Sequence, residues 1–265
     1  MPVIPVQSLA DPRLAPYRNL KERDLAREGG RFIAEGENLV KRLLTGTLTT
    51  ESVLLAERRA AEISPLIPPA IPVYVAPTPI VNGVLGYKFH SGVMAVGVRP
   101  PSPTIDDVVA RAADRPLTLV VCPEIEKTDN LGALIRIAAA FGVDALVLGP
   151  RSCDPFFRQS VRVSMGSAFV LPIVRSDDLA RDLIRLREHE VDLVATVLDP
   201  RATPLDQARR GRRLAIVLGN EAQGLGDEWL RHADRQVTIP MKLGTDSLNV
   251  AVATGVFLYH FTRPA

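Results

Sequence analysis

Three short stretches carry polar residues that an apolar pattern alone does not call for. In "KTDNLGALIRIAAAFG", Asn130 stands at the head of a helical pattern, where its amide oxygen suits an N-cap. Leu134, Ile135, Ala138 and Ala139 then share one face, and Gly142 suits the helix end. Arg136 is the odd residue, a lone cation in that apolar run six positions past the cap, unless it simply snorkels to water on the helix's wet side. In "LAIVLGNEAQGLG" an apolar strand breaks into a glycine loop, Gly219 to Gly224, that carries Glu221. In "VTIPMKLGTDSLNVAVATGVFLYHF" a strand ends at Ile239-Pro240, turns through a loop that begins with Met241, and reaches Ser247, Leu248 and Asn249 before a nearly all-apolar helix.

The glycine loop allows backbone to approach a ligand closely, or serves as a plain strand–turn–helix connection with Glu221 as a cap. It is not a phosphate loop. Leu225 and Gly226 stand where Lys and Ser/Thr would be required, and a carboxylate at Glu221 repels phosphate. The dinucleotide spacing of glycines is absent as well. Ser247 reads as an N-cap. Asn249, placed inside a first turn, is disfavoured by propensity and points to a hydrogen-bonding duty. A helix apolar all round is buried, so its N-terminus faces something more specific than bulk water.

These stretches sit among alternating strands and helices. From Leu117 onward, "LTLVVC", "ALVLG", "FVLPIV", "DLVATVL", "LAIVLG" and "QVTIP" read as near-continuous apolar strands separated by helices. That pattern predicts an α/β domain with a parallel sheet covered on both faces, its ligands beyond the carboxyl ends of the strands. Residues 1–99 read as a smaller α/β domain that opens with a proline-rich lead and a polar helix, and 100–116 as a linker with room for a short helix. The larger domain is then 117–265.

Bulk properties narrow the classes. The chain has 265 residues, 46% hydrophobic and 23% charged, as in an ordinary globular protein. No apolar run approaches the ~20 residues of a membrane span, and the start lacks the basic-then-apolar pattern of an export signal. Two cysteines, Cys122 and Cys153, make neither a metal spacing nor a disulfide framework, which fits a reducing cytoplasm. Four scattered histidines (His90, His189, His232, His260) leave no metal site to expect. Net charge is only +2, but Arg13 to Arg31 holds six cations against three anions. Such a stretch is either a patch for phosphates or a solvated helix face.

Taken in order, the motifs closely resemble those of the SpoU, or TrmH, branch of the SPOUT methyltransferases. The first motif is matched by Asn130, Gly132 and Arg136, and the second by Gly219, Asn220, Glu221 and Gly224. The third is matched by Ile239, Pro240, Met241, Ser247, Leu248 and Asn249. Between them, "DPFFRQSVRVSMGSAF" resembles the family's helix, with Arg162, Ser164, Met165 and Gly166 at its signature. One departure is Thr128-Asp129, where many members have Asp-Pro ahead of the asparagine. "FIAEGENLVKRLL" and "HSGVMAVG" resemble the small α/β RNA-binding domain common ahead of this catalytic domain.

The resemblance implies methyl transfer from S-adenosylmethionine to a ribose 2′-hydroxyl of tRNA or ribosomal RNA, with no metal. It also implies a homodimer and a C-terminal trefoil knot that forms the cofactor pocket. By the same resemblance, Gly219, Ile239, Met241 and Leu248 belong to the cofactor loops. Asn130, Ser247 and Asn249 position Arg136 and the ribose, with Glu221 organising the same corner. The resemblance implies that Arg136 activates the 2′-hydroxyl, either as a general base or by orienting the substrate phosphate and stabilising the alkoxide; an arginine is a poor base, with a pKa above ~12, which favours the second. Two other classes compete. One is a SPOUT-fold RNA-binding protein that has lost its chemistry, against which the intact Asn130, Arg136, Glu221, Ser247 and Asn249 weigh. The other is an unrelated nucleotide-binding α/β enzyme.

Overall fold

The computed structural model describes residues 3–18, 30–86, 88–220, 223–242 and 247–263. The chain divides into two compact units. One contains Met1–Pro101 with Phe156–Val170, and the other contains Ser102–Pro155 with Leu171–Ala265.

The first unit runs β1 (Val3–Pro5), β2 (Arg31–Glu35), α1 (Glu37–Thr45), β3 (Thr50–Ala56), α2 (Glu57–Ile63), β4 (Val73–Ala76), α3 (Thr78–Leu85) and β5 (Val93–Val98). Its sheet has the order β1-β4-β3-β5-β2, with parallel pairing at one end and antiparallel pairing around β5. β1 lies within the expected proline-rich lead. It is an edge strand, the position where a proline costs least because its missing donor faces away from the sheet. Of the basic stretch Arg13–Arg31, three cations are described. Arg13 pairs with Asp11 at 2.6 Å, Arg18 donates to the Asp11 carbonyl at 2.8 Å, and Arg31 pairs with Glu51 at 2.6 Å. Hydrogen bonds from Arg13 hold the Asp11 carboxyl at about 2. The other cations of the stretch, and the polar helix expected there, lie outside the described residues.

The second unit opens with α4 (Ile105–Ala112), β6 (Leu117–Cys122), α5 (Thr128–Ala140) and β7 (Ala145–Leu148). The stretch 100–116, expected as a linker, carries α4 as a core element. Thr104 and Asp107 form a capping box, and Ile105, Val108, Val109 and Ala112 are buried at helical spacing against the sheet strands. Those apolar positions are four residues among charged ones, so the proline cluster before them masks the period.

The chain then returns to the first unit through α6 (Arg158–Val163). Phe156 and Phe169 flank this helix and pack on Phe32, with ring centroids 5.1 and 5.3 Å away, while Arg158 meets Glu35 at 2.5 Å. Phe169 therefore serves the first unit's core. The strand expected over "FVLPIV" shrinks to β8 (Ile173–Arg175), after Pro172.

The second unit continues with α7 (Leu179–Glu188), β9 (Asp192–Thr196), β10 (Thr203–Pro204), β11 (Arg213–Val217), α8 (Asp227–Leu230), β12 (Arg235–Thr238) and α9 (Val250–Thr262). All seven strands pair in parallel, in the order β10-β12-β9-β11-β6-β7-β8. β6 is buried at every residue, as a parallel strand covered on both faces requires. This is the α/β architecture expected from the alternating apolar runs. β11 inserts between β6 and β9, so the chain reverses its direction of travel across the sheet there. Such a switch point opens a crevice at the carboxyl edge.

Candidate functional site

Three loops leave the carboxyl ends of the neighbouring strands β9, β11 and β12, and together they enclose a cavity of about 530 Å³. That size lies within the roughly 300–1,000 Å³ of small-molecule sites. Leu198 and Asp199 line it from the first loop, Gly219, Asn220 and Gly224 from the second, and Ile239, Met241, Ser247 and Leu248 from the third. Val250, Ala253 and Phe257 of α9 complete its apolar wall. All four expected cofactor-loop residues, Gly219, Ile239, Met241 and Leu248, thus share one cavity with Ser247.

The second loop shows why glycine is needed. Asn220 and Gly224 exchange two backbone hydrogen bonds of 2.9 Å, which pinch the chain into a tight turn. Gly224 takes a φ of +68°, in the left-handed region. Gly219 is confined from outside, since a Cβ there would lie 2.5 Å from the Gly224 carbonyl carbon and 2.7 Å from the Leu225 nitrogen. The backbone at this strand end therefore has room for no side chain.

A second focus lies where α5 packs on α9. Asn249 caps α9: its Oδ1 accepts from the Ala251 N–H at 2.9 Å, while its side-chain nitrogen donates to Asn130 Oδ1 at 3.0 Å. Both caps differ from the expected ones by a few residues. α5 starts at Thr128 and is capped from Lys127, so Asn130 sits within the first turn and is available to meet Asn249. Asn249, rather than Ser247, is the cap of α9, so its conflict with first-turn propensity disappears. Asn249→Ala should remove about 1 kcal/mol of capping stability and lower the melting temperature by roughly 2–4 °C. Asn249→Asp retains the capping oxygen and should keep most of that stability in the same calorimetric scan.

Arg136 lies six residues beyond Asn130, about 9 Å along the helix by its rise per residue. It is exposed, on a helix whose Leu134, Ile135 and Ala138 are buried. It makes no hydrogen bond or ion pair with any described residue, so the guanidinium stands open to an external anion. The geometry joins Asn130 to Asn249 and gathers Ser247 with the loop residues, but it does not join Arg136 to either set. Glu221 lies outside the described residues. Among the described residues no group of His, Cys, Asp and Glu sits together as metal ligands would, and no helix is long and apolar enough to cross a membrane.

Residues missed from sequence are those of the first loop, above all Asp199. Its only signal was an acid following a strand end, in an Asp-Pro-Arg run that reads as a solvated turn.

Residues 117–259 match the model of the SpoU rRNA Methylase family. A Mycobacterium tuberculosis protein described as an uncharacterized tRNA/rRNA methyltransferase is 36% identical over 261 residues, 96% of this chain and 89% of that protein. The 23S rRNA (guanosine-2′-O-)-methyltransferase RlmB of Acinetobacter baylyi is 35% identical over 184 residues, 67% of this chain and 73% of that protein. The crystal structure of an AdoMet-bound rRNA methyltransferase from Sinorhizobium meliloti superposes with a TM-score of 0.83 at 26% identity, covering 97% of each chain. The chain belongs to the SpoU rRNA methylase family.

Proposed function

We propose that this protein transfers a methyl group from S-adenosylmethionine to a ribose 2′-hydroxyl of tRNA or ribosomal RNA. The observation that carries this reading is the cavity. A glycine turn with no room for a side chain and apolar walls meet at the carboxyl edge of the sheet, and no cationic side chain is among the cavity's described lining residues. A phosphate-bearing nucleotide would find no cationic partner among those residues, whereas an adenosyl group finds apolar surface for its ring and backbone for its polar edge. Gly219, Ile239, Met241 and Leu248 would hold it. When bound, S-adenosylmethionine supplies a methyl group already activated on a positively charged sulfur.

The chain's own residues then have three tasks. An alcohol is a weak nucleophile at neutral pH and needs its developing charge stabilised. A guanidinium offers a fixed fork of donors and no acceptor, so Arg136 binds a phosphate and steadies the alkoxide rather than taking the proton. The Asn130–Asn249 bond fixes the start of α5, the helix that carries Arg136, against the start of α9. Ser247 supplies a further polar group on the third cavity loop, and Glu221 keeps the organising role that the family resemblance implies for it.

The finer points belong to the same proposal. The insertion of β11 between β6 and β9, with two later loops converging on one cavity, supports a trefoil knot. Val252, Val256 and Tyr259 form an exposed apolar stripe on α9, which supports a homodimer built on that helix. Tyr259→Asp should shift the protein toward monomer by light scattering. The unit containing residues 1–99 is assigned to RNA selection, and the compartment is the cytoplasm, where tRNA and ribosomal RNA are met.

Labelled methyl transfer from S-adenosylmethionine to total RNA from cells lacking the protein tests the activity. Incorporation into RNA but not into DNA is expected. Binding of NAD or ATP without binding of S-adenosylmethionine would reverse the reading.

A further inference from the structure

Among the described residues lining the cavity, a single side chain carries a formal charge, that of Asp199. It stands on the loop between β9 and β10, where the Ala202 N–H bonds the Asp199 carbonyl at 3.0 Å and closes a turn. Pro200 takes the second position of that turn, which its fixed φ suits. The carboxylate is partly enclosed, 32% exposed, while Arg201 beside it is 89% exposed. Asp199 accepts from the Arg201 backbone N–H at 2.8 Å and from its guanidinium at 2.7 and 3.0 Å. These bonds hold the Asp199 carboxyl at about 2, so it is ionised at any pH at which the protein works.

We propose that the Asp199–Arg201 pair sets the charge preference of the cavity, favouring the sulfonium cofactor over its neutral thioether product. The inference rests on the cofactor reading above. S-adenosylmethionine and S-adenosylhomocysteine share the adenosine, the amino group and the carboxylate. They differ by one methyl group and one positive charge. Beyond what backbone dipoles and apolar walls contribute, an ionised carboxylate among the lining residues attracts the sulfonium and not the thioether. Asp199 acts from partial enclosure, where its field is screened less by water. Arg201 opposes it from outside, where solvent and salt screen more. The two residues therefore influence the preference with opposite sign. The benefit is catalytic turnover, because the spent product is held less tightly than the cofactor that must replace it.

The test is the dissociation constant of each ligand, measured by calorimetry on wild type, Asp199→Asn and Arg201→Gln. Asn keeps an oxygen for the turn and removes the charge. Asp199→Asn should lower the preference for S-adenosylmethionine about two- to fivefold, the range of a partly screened ion pair, and Arg201→Gln should raise it by a similar factor. Both effects should shrink at about 0.5 M salt, where the screening length is only a few ångströms. A role confined to the turn would weaken both ligands alike and leave their ratio unchanged, and that result overturns the inference while the cofactor assignment stands. Failure of wild type to bind either ligand overturns the cofactor assignment and this inference together.

Discussion

Arg136→Ala should lower methyl transfer to RNA by about 10²–10³-fold while leaving the affinity for S-adenosylmethionine within about twofold of wild type. The two halves of that expectation come from separate observations. Arg136 does not line the cavity, and no described residue depends on it for a hydrogen bond, so its loss should leave the cofactor site and the fold undisturbed. It is, however, an exposed guanidinium fork on a helix fixed through Asn130 and Asn249. A planar guanidinium offers paired donors to a phosphate or an alkoxide, which an ammonium does not reproduce. Arg136→Lys should therefore restore only part of the rate. Single-turnover kinetics with saturating RNA would separate chemistry from RNA binding. If the alanine variant transferred methyl at the wild-type rate, Arg136 would be no more than a solvated helix residue.

Gly219→Ala should weaken cofactor binding about five- to 150-fold, the equivalent of roughly 1–3 kcal/mol of overpacking. The added methyl group would press on the Gly224 carbonyl carbon and the Leu225 nitrogen, which are backbone atoms with no rotamer to yield. Relief requires opening the Asn220–Gly224 turn, whose two backbone bonds shape that side of the cavity. Gly255→Ala is the control. Its Cβ would meet Ile137 at an ordinary 3.8 Å in the interior of α9, where alanine is favoured over glycine by up to ~1 kcal/mol. Isothermal titration with S-adenosylhomocysteine measures both variants. Equal, small effects at the two glycines would mean that the loop does not shape the ligand site.

How far the structure was legible from sequence depended on the signal each element carries. β6, α5 and β11 were plain because apolar runs of strand or helix length end at glycine or a polar cap. The loops after β11 and β12 were legible for the same reason, since each follows a strong strand. β1 and β10 were not, because strands of three and two residues with prolines exceed no local threshold and exist only through their neighbours. Helix α4 was half visible: its period covers four residues beside a proline cluster, and its burial against the sheet decides its role. The caps of α5 and α9 shifted because several residues near each start can cap, and the choice falls to tertiary contact, here the bond between two asparagines 119 positions apart. Asp199 was invisible for a different reason. An acid two residues before an arginine reads as a solvent turn until the fold turns one side of it toward a cavity.

The most direct measurement is the fate of the transferred methyl group in alkali. A 2′-O-methyl group blocks the neighbouring oxygen from cleaving the phosphodiester, so label from S-adenosylmethionine should appear in alkali-resistant dinucleotides after RNA hydrolysis. Wild type should produce such a dinucleotide, Arg136→Ala should not, and its composition would name the modified nucleotide. Label released as methylated single nucleotides would place the methyl group on a base and contradict ribose methylation.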